Sequence, residues 1–281
     1  MPPTRISLRE AAELLGVHYM TVYRYVRTGR LPAVRDGVEW RVLTTDVERM
    51  RGGEPLAARP RGSRAAARAQ LEQRLIEGDE VGAWNAVERA LAAGASPAEI
   101  HTVLLVPALA SIGARWERGE LTIADEHRAT AVAQRLVGRL GPRFTRRGRK
   151  RGTVVLGVVA GETHALPGAI LADLLRGDAF DVVDLGPDTP VESFVEAALD
   201  ANRLVAVLVG AFTPGRKPGI RRTVAALHEA GVTAPVLVGG PGITDEAQAR
   251  NLGADGWTGH DSDSARVALD AASRAAPAPH A

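Results

Sequence analysis

The residue with the clearest chemical potential in this sequence is a histidine. His164 lies in the segment Gly161-Glu-Thr-His-Ala-Leu-Pro-Gly168, just after an apolar run that ends at Val159. Neutral imidazole is a common metal ligand. Glu162, two residues earlier, is placed to accept a hydrogen bond from the ring nitrogen that does not face the metal. A lone loop histidine is usually a surface residue, and the neighbouring carboxylate makes a held metal ligand the stronger reading. Thr163 between them, Thr213 in Gly210-Ala-Phe-Thr-Pro-Gly215, and the pair Gly239-Gly240 are candidates for the same pocket. The two glycines remove side chains where a large flat ligand or its tail could approach the backbone.

A second constellation is Trp116 followed, after nine intervening residues, by Glu126-His127. On one unbroken helix, positions 116 and 127 would share a face. Gly119 and Leu121-Thr122 predict a break, so Trp116 ends one helix and Glu126-His127 opens the next. The 281-residue chain has no cysteine, which excludes disulfides, thiolate metal sites and cysteine nucleophiles. No acid–base pair, phosphate-binding loop or metal-hydrolase motif competes, and the chain is expected not to be an enzyme. No signal-peptide core or apolar run of 18 residues stands out, so no membrane association and a cytoplasmic location are expected.

These residues must be positioned by a multidomain fold. Residues 152–275 alternate short apolar runs with amphipathic stretches. Strands are predicted at 154–159, 180–185, 204–209, 235–238 and 256–258. Near-continuous Val, Leu and Ala in them indicates a parallel sheet covered on both faces. Five βα units suit a flavodoxin-like α/β domain, whose ligands sit beyond the carboxyl ends of strands 1 and 3. The two loops named above follow those strands. Residues 69–140 read as all helical, with Ser96-Pro97-Ala98-Glu99 supplying an N-cap, a first-turn proline and a capping-box glutamate.

The formal net charge of +2 hides an uneven distribution, because residues 1–68 hold thirteen Arg against seven Asp or Glu. Within residues 1–52, Ser7 caps a helix with Leu8, Ala11, Ala12 and Leu15 on one face. Gly16 turns the chain, and a second helix runs from Val17 to Arg27. The segment 34–42 reads as a hairpin with an Asp36-Gly37 turn, and Thr45-Asp46 caps a third helix. Tyr19, Thr21, Tyr23, Arg24 and Arg27 on the second helix, with Arg35 and Arg41 on the wing, are the residues such a unit would turn toward double-stranded DNA. Residues 53–68 are expected to be a flexible basic linker.

The segment LREAAELLGV…TVYRYVRTGRLPAVRDGVEWRV resembles the winged helix-turn-helix of MerR-like regulators. The Glu162-x-His164 loop is similar to the E/D-x-H-x-x-G signature of cobalamin-binding domains. There the histidine replaces the nucleotide base beneath cobalt, which makes His164 the metal ligand. With Trp116 and Glu126-His127 in a four-helix bundle between them, the order of domains resembles the CarH/LitR-type photoreceptor regulators. That resemblance implies adenosylcobalamin held by Trp116, Glu126, His127, Glu162, Thr163, His164, Thr213, Gly239 and Gly240. It also implies a light-set oligomeric state, a homotetramer or dimer, that controls binding to promoter DNA through avidity.

Three positions depart from the pattern. Pro167 stands where the signature has Gly, Ala211 where a Ser is usual, and Glu117 where a cobalt-capturing His follows the Trp. The missing Ser is expected to shorten the His–carboxylate–Ser relay. The departures allow a second reading in which the same architecture senses haem, a bilin or redox state. A third is a cobalamin-dependent methyltransferase subunit.

Overall fold

The computed structural model describes residues 4–27, 30–36, 39–52 and 61–260, together with Arg266 and Asp270. The chain divides into two compact units, Met1–Leu140 and Gly141–Ala281.

The first unit begins with a small sheet and three helices. Helix α1 (Leu8–Leu15) starts at Ser7, whose hydroxyl accepts from the Glu10 amide while the Glu10 carboxylate accepts from the Ser7 amide, a complete capping box. Gly16, at φ 65°, closes the helix in the left-handed region. Helix α2 (Tyr19–Arg27) follows. Strands β2 (Ala33–Asp36) and β3 (Glu39–Leu43) pair antiparallel; Gly37 and Val38 of the expected turn lie outside the described residues. Strand β1 (Arg5–Ser7), which the sequence pattern did not announce, pairs with the free edge of β3.

Helix α3 (Thr44–Arg51) starts earlier than expected and has no side-chain cap, because its N-cap residue is Leu43; the Thr44 hydroxyl donates to the Thr4 carbonyl, 3.0 Å away. Leu8, Ala11, Val22, Val26, Leu31, Val42 and Val47 form the core of this head, joined by Ala92 from the following bundle.

The bundle corrects the linker boundary. Residues 53–60 lie outside the described residues, but α4 (Arg61–Glu77) is already helical through positions 61–68, which were expected to be linker. Ala65, Ala66 and Ala67 in that stretch carry strong helix propensity. Helix α5 (Glu80–Ala92) is capped by Asp79. The third helix is continuous over Pro97–Glu117, with a capping box at Ser96 and Glu99. It comprises α6 (Pro97–Glu99), a π-helical segment (Ile100–Leu105) and α7 (Val106–Glu117). It is long and apolar enough to cross a membrane by length and composition, and its Ile100, Leu104, Leu105, Ala108 and Ile112 are buried within the unit. Helix α8 (Ile123–Leu140) completes the four-helix set. Its buried Ala129, Val132, Ala133, Leu136, Val137 and Leu140 recur at helical spacing.

The second unit is a five-stranded parallel sheet of β4 (Thr153–Val158), β5 (Asp181–Asp184), β6 (Leu204–Gly210), β7 (Val236–Gly239) and β8 (Gly256–Trp257). Its order β5-β4-β6-β7-β8 is the doubly wound pattern expected from the βα repeat. Period-two alternation sends Val155, Val207 and Val209 to one face, where Phe194 of α10 (Val191–Asp200) and Ile220 and Val224 of α11 (Lys217–Glu229) cover them. Val154, Leu156, Ala206 and Leu208 face the other side, against Ala172 and Leu175 of α9 (Leu166–Gly177). Helix α12 (Glu246–Asn251) lies between β7 and β8 in the chain.

Phe194 is fully buried, and its ring lies so close to Gly157 that a Cβ there would sit 2.7 Å from Cζ. Phe194→Ala should cost about 3–5 kcal/mol of stability, read by urea unfolding followed by circular dichroism.

Candidate functional site

The site is built at the carboxyl end of β4. After Val159 the chain turns through Gly161, which has φ 82°, a region open to glycine. The Glu162 amide donates to the Val159 carbonyl at 3.0 Å. The loop is tied to the one after β5, since the Gly161 amide donates to the Asp188 carboxylate at 2.6 Å and the Asp188 amide to the Glu162 carbonyl at 2.8 Å.

Glu162 is buried, with a side chain only 1% exposed, whereas the His164 ring above it is 55% exposed. Glu162 Oε1 faces His164 Nδ1 at 2.5 Å. Its Oε2 accepts from the Phe212 amide (3.0 Å), the Thr213 amide (2.7 Å) and the Thr213 hydroxyl (2.8 Å). Both carboxylate oxygens are thus occupied, as a buried charge requires. Burial alone would raise the Glu162 pKa; the hydrogen bonds from His164, from the Thr213 hydroxyl and from the two backbone amides outweigh it and hold the value at about 2.

A carboxylate so placed takes the proton of Nδ1 as a hydrogen bond and leaves Nε2 as the lone-pair nitrogen. The expected shortening of the relay at Ala211 is therefore corrected. Ala211 is buried, and the hydroxyl comes from Thr213 two residues on, within reach of a glutamate.

Pro167 does not disturb the loop. It stands in the first turn of α9, where its missing N–H costs no helical bond. The next residue, Gly168, is buried, and a Cβ on it would meet only the Val158 side chain, at 3.8 Å. The Gly239-Gly240 pair is required by the fold itself: a Cβ on Gly239 would fall 1.8 Å from Thr258 Oγ1, and one on Gly240 2.5 Å from the Ala211 carbonyl. Neighbouring loops approach that backbone closely. Thr163 is exposed beside His164.

On the helical unit, the break between Trp116 and Glu126 is present, as α7 ends at Glu117 and α8 begins at Ile123. Trp116 is 43% exposed. Glu126 accepts from the Thr130 hydroxyl at 2.8 Å and lies 3.8 Å from the exposed His127 ring. In the head, Tyr19 is exposed and stacks on the half-buried Tyr23, Thr21 is half-buried and Arg24 is exposed. Arg41 is engaged with Glu39 at 3.2 Å. The side chains of Arg27 and Arg35 lie outside the described residues. Among the described residues, no group of three or more His, Asp or Glu forms a cage for a bare metal ion. His164 offers a single protein nitrogen, which suits a metal whose other positions a macrocycle fills.

A parallel α/β domain with a loop-borne, carboxylate-held histidine, in a chain with a helical bundle, defines the class of corrinoid-binding proteins. The profile of the B12 binding domain matches residues 152–269, its helical counterpart matches residues 67–140, and a helix-turn-helix domain profile matches residues 6–52. Trimethylamine corrinoid protein 2 of Methanosarcina acetivorans is 30% identical over 192 residues, 66% of this chain and 88% of that protein. Dimethylamine corrinoid protein of Methanosarcina barkeri is 30% identical over 57% of this chain and 76% of that protein. The solved monomethylamine corrinoid protein of Methanosarcina barkeri shares the fold, with a TM-score of 0.65 at 21% identity over 74% of this chain and 99% of that one. The chain belongs to the corrinoid protein family, and its cofactor is of the cobalamin type.

These matches correct two expectations. The relatives are methylamine corrinoid proteins, which overturns the light-responsive regulator as the function and promoter DNA as the partner. The tetramer expectation rested on the same resemblance and goes with them. The haem and bilin alternatives give way to the corrinoid.

The Glu162 pKa lies below its ordinary 4.5, so its contacts stabilise the fold above pH 4.5 and that contribution is lost as pH falls toward 2. Glu162→Gln should therefore be less stable than the wild type at pH 7, by on the order of 3 kcal/mol. The difference should shrink as pH falls below 4.5, read by urea unfolding across pH.

Proposed function

We propose that this protein is a corrinoid carrier for methyl transfer. In this reading it holds a cobalamin-type corrinoid through His164 Nε2 and presents it to partner proteins that load and remove a methyl group from a methylamine-type substrate. The observation that carries the reading is the chain of contacts from His164 through Glu162 to Thr213. The names of the relatives, trimethylamine and dimethylamine corrinoid proteins, support the choice of methyl chemistry. The corrinoid, when bound, supplies a cobalt centre able to accept and give up a methyl group. A methyl group would then take the place of the adenosyl group of a light-responsive regulator.

The chain's own contribution is to bind and orient. Glu162 fixes the His164 tautomer and aims Nε2 outward. The Phe212 and Thr213 amides hold Glu162 as an anion, so Glu162 accepts from His164 Nδ1 and leaves the Nε2 lone pair for the metal. Among the remaining candidates, Thr163, Trp116, Glu126 and His127 are proposed as corrin contacts. Transfer itself is assigned to the partners, in keeping with the relatives' names as corrinoid proteins.

The test is retention of cofactor. The full-length protein mixed with hydroxocobalamin and passed through a desalting column should keep about one corrinoid per chain. His164→Ala should lose most of it, because the protein then has no imidazole to take the place of the nucleotide base on cobalt. After chemical reduction and addition of methyl iodide, the wild-type absorption spectrum should change to that of a methylated corrinoid. A wild type that keeps no corrinoid, or a His164→Ala protein that keeps it equally well, contradicts the reading.

A further inference from the structure

Beyond the His164–Glu162–Thr213 chain lies a residue to which nothing above has assigned a role. Arg216 Nε donates to the Thr213 hydroxyl at 3.1 Å. Its guanidinium also lies across Gly161: a Cβ there would fall 2.6 Å from Nη1. One arginine on the loop after β6 thus touches both the hydroxyl that supports Glu162 and the backbone of the loop that carries the ligand.

The direction of these hydrogen bonds is fixed by their chemistry. A guanidinium has no acceptor, so Thr213 Oγ1 must accept from Arg216. The Thr213 hydroxyl proton is then directed at Glu162 Oε2, 2.8 Å away. Glu162 receives only donors, from His164 on one oxygen and from Phe212 and Thr213 on the other. Without Arg216 the threonine hydroxyl is free to rotate toward water or a backbone carbonyl.

We propose that Arg216 is a positioning residue for the cobalt ligand. It sets the direction of the Thr213 hydroxyl and, lying against Gly161, braces the loop so that Glu162 and His164 keep the geometry that aims Nε2 at the metal. Gly161 is then needed for two reasons, its left-handed backbone and the space it leaves for the guanidinium. The proposal rests on the corrinoid-carrier reading, because it concerns how well that one ligand is held.

The experiment is a double-mutant cycle on the full-length protein with hydroxocobalamin. The dissociation constant comes from absorbance titration, and the share of cofactor with histidine on cobalt from the nitrogen-15 doublets in the electron paramagnetic resonance of the Co(II) form of 15N-histidine-labelled protein. Arg216→Met should weaken binding about threefold to tenfold and lower the histidine-on share, with the unfolding midpoint unchanged. Arg216→Lys, which keeps a charged donor, should recover part of the loss. Thr213→Val should weaken binding as well, and adding Arg216→Met to it should cost little more, because the link is already cut.

If Arg216→Met matches the wild type in affinity and nitrogen coupling, or if its effect is the same with and without the Thr213 hydroxyl, Arg216 does not act through this chain. That outcome leaves the carrier reading intact. A wild type without coupling to a histidine nitrogen would remove the carrier reading and this proposal together.

Discussion

The site depends on one buried charge. Glu162 is a carboxylate inside the protein, and such a group is tolerated only when its lone pairs are taken up by donors. Three loops meet that need. The loop after β6 brings the Phe212 and Thr213 amides and the Thr213 hydroxyl, the loop after β5 holds the Glu162 backbone through Asp188, and the loop after β4 supplies the carboxylate with its histidine. Remove the charge and the three loops lose their common point. Keep it, and the orientation and tautomer of His164 follow without any contact from the metal side.

The sheet makes this convergence possible. In a doubly wound parallel sheet the strands beside the first one end at the same edge, so loops distant in sequence fall next to one another. Glu162 and Thr213 are 51 residues apart and within hydrogen-bond distance. Two apolar layers, one against α9 and one against α10 and α11, keep β4 and β6 in register, and that register carries Gly157 opposite Val209 and Val158 opposite Gly210 just before the loops begin. Rigidity of the strands is what lets short loops hold a ligand geometry.

Much of this was legible in the residues. The apolar runs of β4 to β8 and their spacing announced the sheet and its order, and Ser7 and the Ser96-Glu99 pair announced two helix starts, both of which carry capping boxes. Glu162 and His164 were readable because two residues of matched chemistry stood close together just after a strand. The rest depended on reach. Ala211 looked like a missing hydroxyl, because sequence position does not show that glutamate, one methylene longer than aspartate, can meet Thr213 instead. Arg216 gave no signal, since an arginine near a helix start is ordinary until its neighbours are known. Gly239 and Gly240 read as space for a ligand, and only the neighbouring Thr258 and Ala211 show that the fold itself needs them bare. The head and bundle carried a pattern shared with a class of regulators, and the likeness of the chain to methylamine corrinoid proteins shows that an arrangement of domains does not by itself fix a function.

The central claim is that one nitrogen of this chain, Nε2 of His164, is the lower ligand of the corrinoid. Electron paramagnetic resonance of the Co(II) form, prepared from protein grown with 15N-histidine and unlabelled cobalamin, tests it directly. A nitrogen-14 ligand splits each cobalt line into three and a nitrogen-15 ligand into two. The account predicts triplets in unlabelled protein and doublets in protein labelled only at histidine. Triplets that persist after labelling would mean that the cofactor's own nucleotide base stays on cobalt, and would contradict it.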